Sequence, residues 1–168
     1  MELLTEIKDA EIIDDSAIKN RQASRAILFD ENGLVPLLFV SKFNYHKLPG
    51  GGIDAGEDSL SALRRECMEE VGCAIEVTGE VGQISEYRSE FKLKRLSFCY
   101  LGNVISKGES QLMPDEIADG FKVVWMTLDE AIVQLEEDKP EEYAGFFIQK
   151  RDLAFLKKAK EVLSAKSK

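Results

Sequence analysis

The sequence predicts an α+β fold, a mixed β-sheet covered by helices, and three observations carry the prediction. Short apolar runs bounded by turn residues recur on both sides of one strongly amphipathic stretch, Ser59–Val71. Strand and helix do not alternate, which argues against a simple parallel βαβ sheet. Helical periodicity returns toward the C-terminus, which argues against an all-β chain.

Each element follows in order. The first residues, MELLTEIKDAEIIDD, have no basic flank and no apolar run long enough for export. No stretch approaches the ~20 apolar residues that span a bilayer. A cytoplasmic protein is expected. Ser24–Asp30 and Leu34–Ser41 read as strands around Glu31-Asn32-Gly33, a strong hairpin signal. Pro36 predicts an irregular or exposed edge in the second strand. The loop Leu48–Asp58, LPGGGIDAGED, leads into the helix Ser59–Val71, which Gly72 should cap. Strands are expected near Ile75–Val81, Gln83–Arg88 and Arg95–Val104. Leu112–Gly120 reads as an acidic loop or short turn and Phe121–Met126 as a strand. Thr127 and Glu130 form a capping-box pattern that starts a second helix. From Glu141 the pattern predicts a third, amphipathic helix, with Phe147, Ile148, Phe155, Leu156, Ala159 and Leu163 as core or dimer surface.

Composition narrows the function. With 168 residues the chain fits one domain, and its 44% hydrophobic and 32% charged content is ordinary for a globular protein. A net charge of −9 argues against gripping long nucleic acid, which needs a basic stripe. A small phosphorylated ligand arriving with a cation is still compatible. Cys67, Cys73 and Cys99 are odd in number and lack a CxxC spacing, so they read as small buried residues.

On a wheel of about 100° per residue, Leu60, Leu63, Cys67 and Val71 form the buried stripe of the first helix. Glu66, Glu69 and Glu70 lie on the flank beside it. Like charges at i+3 and i+4 repel. A solvated acidic face, with Arg65 pairing to Glu69, is the plain reading. The sharper one is a hard-cation site, because clustered carboxylates beside a glycine-rich loop suit Mg²⁺ or Mn²⁺. The single histidine, His46, argues against a His-rich metal centre.

Two phosphate-loop patterns fail. Gly50, Gly52 and Ala55 satisfy G-x-G-x-x-A, but Glu57-Asp58 occupy the helix entry that a pyrophosphate would need. Walker A fails because Gly51 and Gly56 are followed by Glu-Asp instead of Lys-Ser/Thr.

Gly51, five residues, Glu57, seven residues, then Arg65-Glu66-Cys67-Met68-Glu69-Glu70-Val71-Gly72-Cys73 resembles the signature of the Nudix hydrolases. Cys67 and Cys73 depart from it, standing where the family has aliphatic residues; cysteine packs similarly. The resemblance extends over a core of about 20–138, followed by a C-terminal helix over about 141–165. It implies an α/β/α sandwich and hydrolysis of a nucleoside diphosphate linked to another group, with Mg²⁺ or Mn²⁺. By position, Glu66, Glu69 and Glu70 would hold the metal, with the Gly50 carbonyl. Arg65 would pair with Glu57 to fix the loop at Gly51, and a water activated by metal and carboxylate would attack phosphorus.

The resemblance implies a general base from the box or from a loop near the later strands, where Glu116 is the candidate and an ordinary surface acid is the alternative. Arg25, Tyr45-His46 and Tyr87-Arg88 are candidate substrate contacts, each with a structural reading beside it, and Trp125 reads as core. The expected partner is a small nucleotide, with no long nucleic acid and no membrane, for a monomer or homodimer. Two other functions stay open. One is a nucleotide sensor that binds without cleaving. The other is an isoprenoid diphosphate isomerase, which would need a cysteine in the pocket.

Overall fold

Period-two alternation puts successive strand residues on opposite faces of a sheet, and here both faces are covered. A computed structural model describes residues 1–168. The elements are β1 (Leu3–Lys8), β2 (Lys19–Phe29), β3 (Val35–Val40), β4 (Tyr45–Lys47), β5 (Gly50–Gly52), α1 (Ser59–Val71), β6 (Cys73–Arg88), β7 (Leu93–Lys107), α2 (Pro114–Ala118), β8 (Phe121–Met126), α3 (Leu128–Glu137) and α4 (Tyr143–Lys166). A five-stranded sheet runs β1-β6-β7-β2-β5, and a three-stranded sheet runs β4-β3-β8. The larger sheet is mixed: β1 is parallel to β6 and β2 to β7, while β6–β7 and β2–β5 are antiparallel.

β2 shows how the layers arise. Ile27 points into a cluster with Ile84, Cys99, Leu101 and residues of α3 and α4, among them Leu135 and Phe155. Its neighbours Ala26 and Leu28 point the other way, against Leu63, Cys67 and Val71 of α1. Helices thus lie on both sides of a mixed sheet, as expected for the α+β class. No helix is long and apolar enough to cross a membrane. The C-terminal stripe is core: Phe147, Phe155, Leu156 and Ala159 are buried and Leu163 packs against them.

Several expectations need correction. The Asn-Gly turn forms, with Gly33 at φ 74° and Asp30 Oδ1 accepting the Asn32 and Leu34 amides at 2.9 and 2.8 Å. It does not close a two-stranded ladder, however. β7 pairs along the whole of β2 on one side and β5 pairs only Ala23–Arg25 on the other, while β3 joins β4 and β8 in the second sheet. Ile75–Val81 and Gln83–Arg88 are one strand, β6, with register shifts at Val77/Gly79 and Glu80/Gly82 where a break was expected. The acidic loop contains the short helix α2.

β1 escaped prediction because only Leu4 and Ile7 turn inward, at a spacing of three, after a register shift between Leu3 and Thr5. β5 is entirely glycine, so no propensity marks it. A Cβ on Gly50 would collide with the Ser24 carbonyl, and the close pairing with β2 depends on its absence.

Candidate active site

The helix α1 starts and stops as its sequence dictates. Asp58 caps it, Oδ1 accepting the Ser61 amide at 2.8 Å. Gly72 ends it in the left-handed region at φ 68°, which glycine adopts without a Cβ penalty. Leu63, Cys67 and Val71 anchor the buried face. The flank beside that face then presents Glu66, Glu69 and Glu70 toward the preceding loop.

Arg65 organises the loop. Its Nε and Nη2 donate to the two oxygens of Glu57, each at 2.9 Å, a bidentate pair of the stronger kind. Nη2 also donates to the Gly52 carbonyl at 3.1 Å, and Nη1 reaches Glu66 at 2.8 Å and Glu69 at 3.5 Å. Glu57 in turn accepts the Asp54 amide at 3.1 Å. The Arg65 hydrogen bonds and that amide hold the Glu57 carboxyl down at about 2.

Glu70 faces inward and is only 2% exposed. Its Oε2 accepts the Gly50 amide at 2.7 Å, and Lys47 Nζ lies 3.4 Å from Oε1. Burial pushes this carboxyl up, against the pull of Lys47, the Gly50 N–H and Arg25. The Gly50 carbonyl accepts from Arg25 Nη1. That contact changes the expectation for Gly50, since a guanidinium on its carbonyl opposes a second cation there.

The three glutamates do not gather round one point, and no group of three or more His, Cys, Asp or Glu converges as a metal cluster. The partners explain the spread: Arg65 draws Glu66 and Glu69, while the Gly50 amide and Lys47 draw Glu70. Glu66 and Glu69 meet at Arg65 Nη1, and Glu70 sits on the loop side. The donor chemistry still fits a hard divalent cation, which binds carboxylate oxygens. The Glu66 carboxylate also lies over Gly51 in a cradle that any Cβ there would fill.

The other candidates divide. Arg25 and Arg88 are 5% and 3% exposed, so neither stands open to a substrate phosphate. Arg25 serves Gly50, and Arg88 donates to Glu86 at 2.8 Å. Tyr87 is half-buried, and strand alternation sends it to the face opposite Arg88. Glu116 accepts the Met113 amide at 2.7 Å, a local bond at the start of α2. Tyr45 is buried with its hydroxyl 2.7 Å from Glu142, and His46 Nδ1 lies 3.0 Å from Asp138. Trp125 packs against the α1-side cluster, with Lys107 Nζ 4.0 Å from its ring centroid.

Sequence reasoning missed a buried support beneath the loop. Asp152 on α4 accepts the Leu48 amide at 2.8 Å and pairs with Arg151 at 2.7 Å, and Arg151 reaches Glu86 at 3.3 Å. A signal existed: Arg151 falls four residues after Phe147 and four before Phe155, on the apolar stripe itself. Lys47 was also missed, as nothing in the sequence places it beside Glu70.

Comparisons with known proteins agree with this architecture. The family model described as NUDIX domain matches residues 19–147. No curated protein sequence matches the chain. Solved structures that it resembles include the MutT protein from Methanosarcina mazei Go1, with TM-score 0.58, 19% identity, and 86% of this chain and 96% of that one covered. A NUDIX hydrolase from Nitrosomonas europaea gives 0.56 at 18% identity over 70% and 79% of the two chains. A MutT NUDIX hydrolase from Burkholderia pseudomallei gives 0.54 at 19% over 79% and 97%. At such identities the likeness is one of fold.

Proposed function

The chain belongs to the Nudix family, and we propose that it is a pyrophosphohydrolase acting on a small nucleoside diphosphate or triphosphate derivative with Mg²⁺ or Mn²⁺. One observation carries the reading. Glu66, Glu69 and Glu70 leave one flank of α1 beside a glycine loop that Arg65 and Glu57 clamp by two 2.9 Å bonds.

Glu66, Glu69 and Glu70 would hold the cation. Bound there, it would neutralise phosphate charge and lower the pKa of an attacking water. The chain's own residues supply position. Arg65 and Glu57 lock the loop to the helix, so Gly51 stays pressed on the Glu66 carboxylate. The Gly50 amide orients Glu70, and Leu48 is tied to Asp152 from the opposite layer. Glu116 is the candidate base outside the box; to act, it must release the Met113 amide.

The isomerase alternative finds no support. Cys67, Cys73 and Cys99 are all fully buried, and burial pushes each thiol up, away from the reactive thiolate. A silent sensor is disfavoured by the complete glutamate set. Phosphate or nucleoside monophosphate release from about twenty nucleotides, ADP-ribose included, is measured with and without Mg²⁺. Metal-dependent cleavage of at least one supports the reading. Metal-dependent binding without turnover across the panel overturns it in favour of the sensor.

A further inference from the structure

We infer that Lys47 is a phosphate contact released by the metal: its ammonium holds Glu70 where a divalent cation would bind, and it turns to the pyrophosphate of the substrate once that cation replaces it. That the anion is a substrate rests on the hydrolase reading above; the exchange of cations at Glu70 does not.

Strand pairing fixes where the side chain starts. Lys47 is the last residue of β4 and stands opposite Leu38 of β3, and cross-strand partners share a face of their sheet. Leu38 belongs to the cluster packed on α1, so Lys47 also projects toward that helix. The next residue, Leu48, is tied by its amide to Asp152 at 2.8 Å. With the backbone held on both counts, only the side chain is left to move. Its Nζ lies 3.4 Å from Glu70 Oε1 and 4.5 Å from the centroid of the Phe121 ring. The side chain is 13% exposed, about as open as that of Glu66 at 12%.

The ammonium is loosely held. Charge-assisted N–H···O bonds run to about 2.7–2.9 Å, and this one is longer. An ammonium carries three donors, and Glu70 is the only acceptor that the protein gives Lys47. Glu70 Oε2 accepts the Gly50 amide at 2.7 Å, which leaves Oε1 for a cation, and Lys47 stands on Oε1. Arg65 is placed differently. It touches Glu66 and Glu69 through Nη1, but its Nε and Nη2 are bound to Glu57 and keep that partner when the other glutamates change theirs. Lys47 has no second partner. Displaced from Glu70, it becomes a largely buried ammonium beside a like charge, which is costly unless an anion joins it. A phosphate oxygen carried in with the cation is such an anion, and the flexible lysine stem lets the ammonium follow it. Cation and phosphate should therefore each favour the other's binding through Lys47.

Mg²⁺ is titrated by calorimetry into wild type, K47M and K47R, with and without inorganic phosphate, correcting for Mg²⁺ bound by free phosphate. K47M keeps an apolar stem over Phe121 without the charge, and K47R keeps a cation on Glu70. Without phosphate, K47M should bind Mg²⁺ about 5-fold or more tighter than wild type, and K47R no tighter. Phosphate should tighten Mg²⁺ binding by wild type, and that gain should shrink about 5-fold or more in K47M. On a nucleotide that is cleaved, kcat/KM should fall in K47M although its metal site fills more readily. Thermal midpoints control for folding, and K47Q takes the place of K47M if the latter is unfolded.

Mg²⁺ affinity unchanged or weakened in the folded, uncharged variant overturns the exchange at Glu70; cleavage of a nucleotide by wild type then leaves the hydrolase reading in place. Tighter Mg²⁺ binding with the phosphate gain undiminished overturns the phosphate contact. Tighter Mg²⁺ binding and a diminished gain in a protein that cleaves no nucleotide support the role of Lys47 and overturn the hydrolase reading.

Discussion

Glu70→Gln tests the catalytic reading most directly, because the structure separates what the change removes from what it keeps. The amide retains an oxygen that can accept the Gly50 N–H, now 2.7 Å from Oε2, so the loop should hold its place. The full negative charge is lost, and with it the partner of Lys47 at 3.4 Å. A preorganised electrostatic contact at a reacting centre is worth about 100-fold or more in rate, roughly 2.7 kcal/mol of barrier at 1.36 kcal/mol per decade. The fold should not suffer, since a buried carboxylate is itself costly and its raised pKa marks that cost. The assay is steady-state turnover at saturating Mg²⁺, with the thermal midpoint recorded on the same samples. At least ~100-fold lower kcat is expected, with an unchanged or higher midpoint. Near-normal turnover under those conditions refutes the assignment.

Other outcomes follow from the same geometry. Arg65→Lys keeps the charge but cannot make both 2.9 Å bonds to Glu57, so kcat should fall about 10- to 100-fold through loss of positioning; unchanged kcat would show that the clamp does not set the loop. Glu116→Gln removes the candidate base: a changed alkaline limb in the pH–rate profile supports that role, and an identical profile dismisses it. For Glu86, burial raises the carboxyl pKa, but Arg151 and Arg88 outweigh it and hold the group at about 2. A depressed folded pKa means the unfolded chain binds the proton more tightly, so this stability is present above the ordinary glutamate range and lost as pH falls toward 2. The contribution is of order 3 kcal/mol at 1.36 kcal/mol per unit, and a urea series from pH 6 to 2.5 should show the decline. A flat midpoint over that range would exclude it.

How much of this was legible in the sequence depended on whether the signal was local. The α1 span, its Gly72 stop and the Thr127–Glu130 box were readable, because caps and helical periodicity act within a few residues. The Glu57–Arg65 pair was reached only through the family resemblance, since nothing short of the fold says which acid an arginine meets. The β2–β3 crossover was not readable, as an Asn-Gly turn specifies its own backbone but not which sheet the strand after it joins. The surroundings of Arg25 and Arg88 were unreadable for a related reason. Charge on a strand suggests an open face, yet both are buried in a network completed by Arg151 and Asp152 from far along the chain.

The bond between Leu48 and Asp152 joins residues 104 apart, so the loop gains this anchor only once α4 is in place. Helix α1 and the sheet can gain their backbone structure before α4 docks, but the loop carrying Gly50 then lacks its anchor from the far layer. In refolding from urea, far-ultraviolet ellipticity should therefore recover ahead of catalytic competence, with the lag set by the docking of α4. Turnover becomes a clock for the arrival of the final helix.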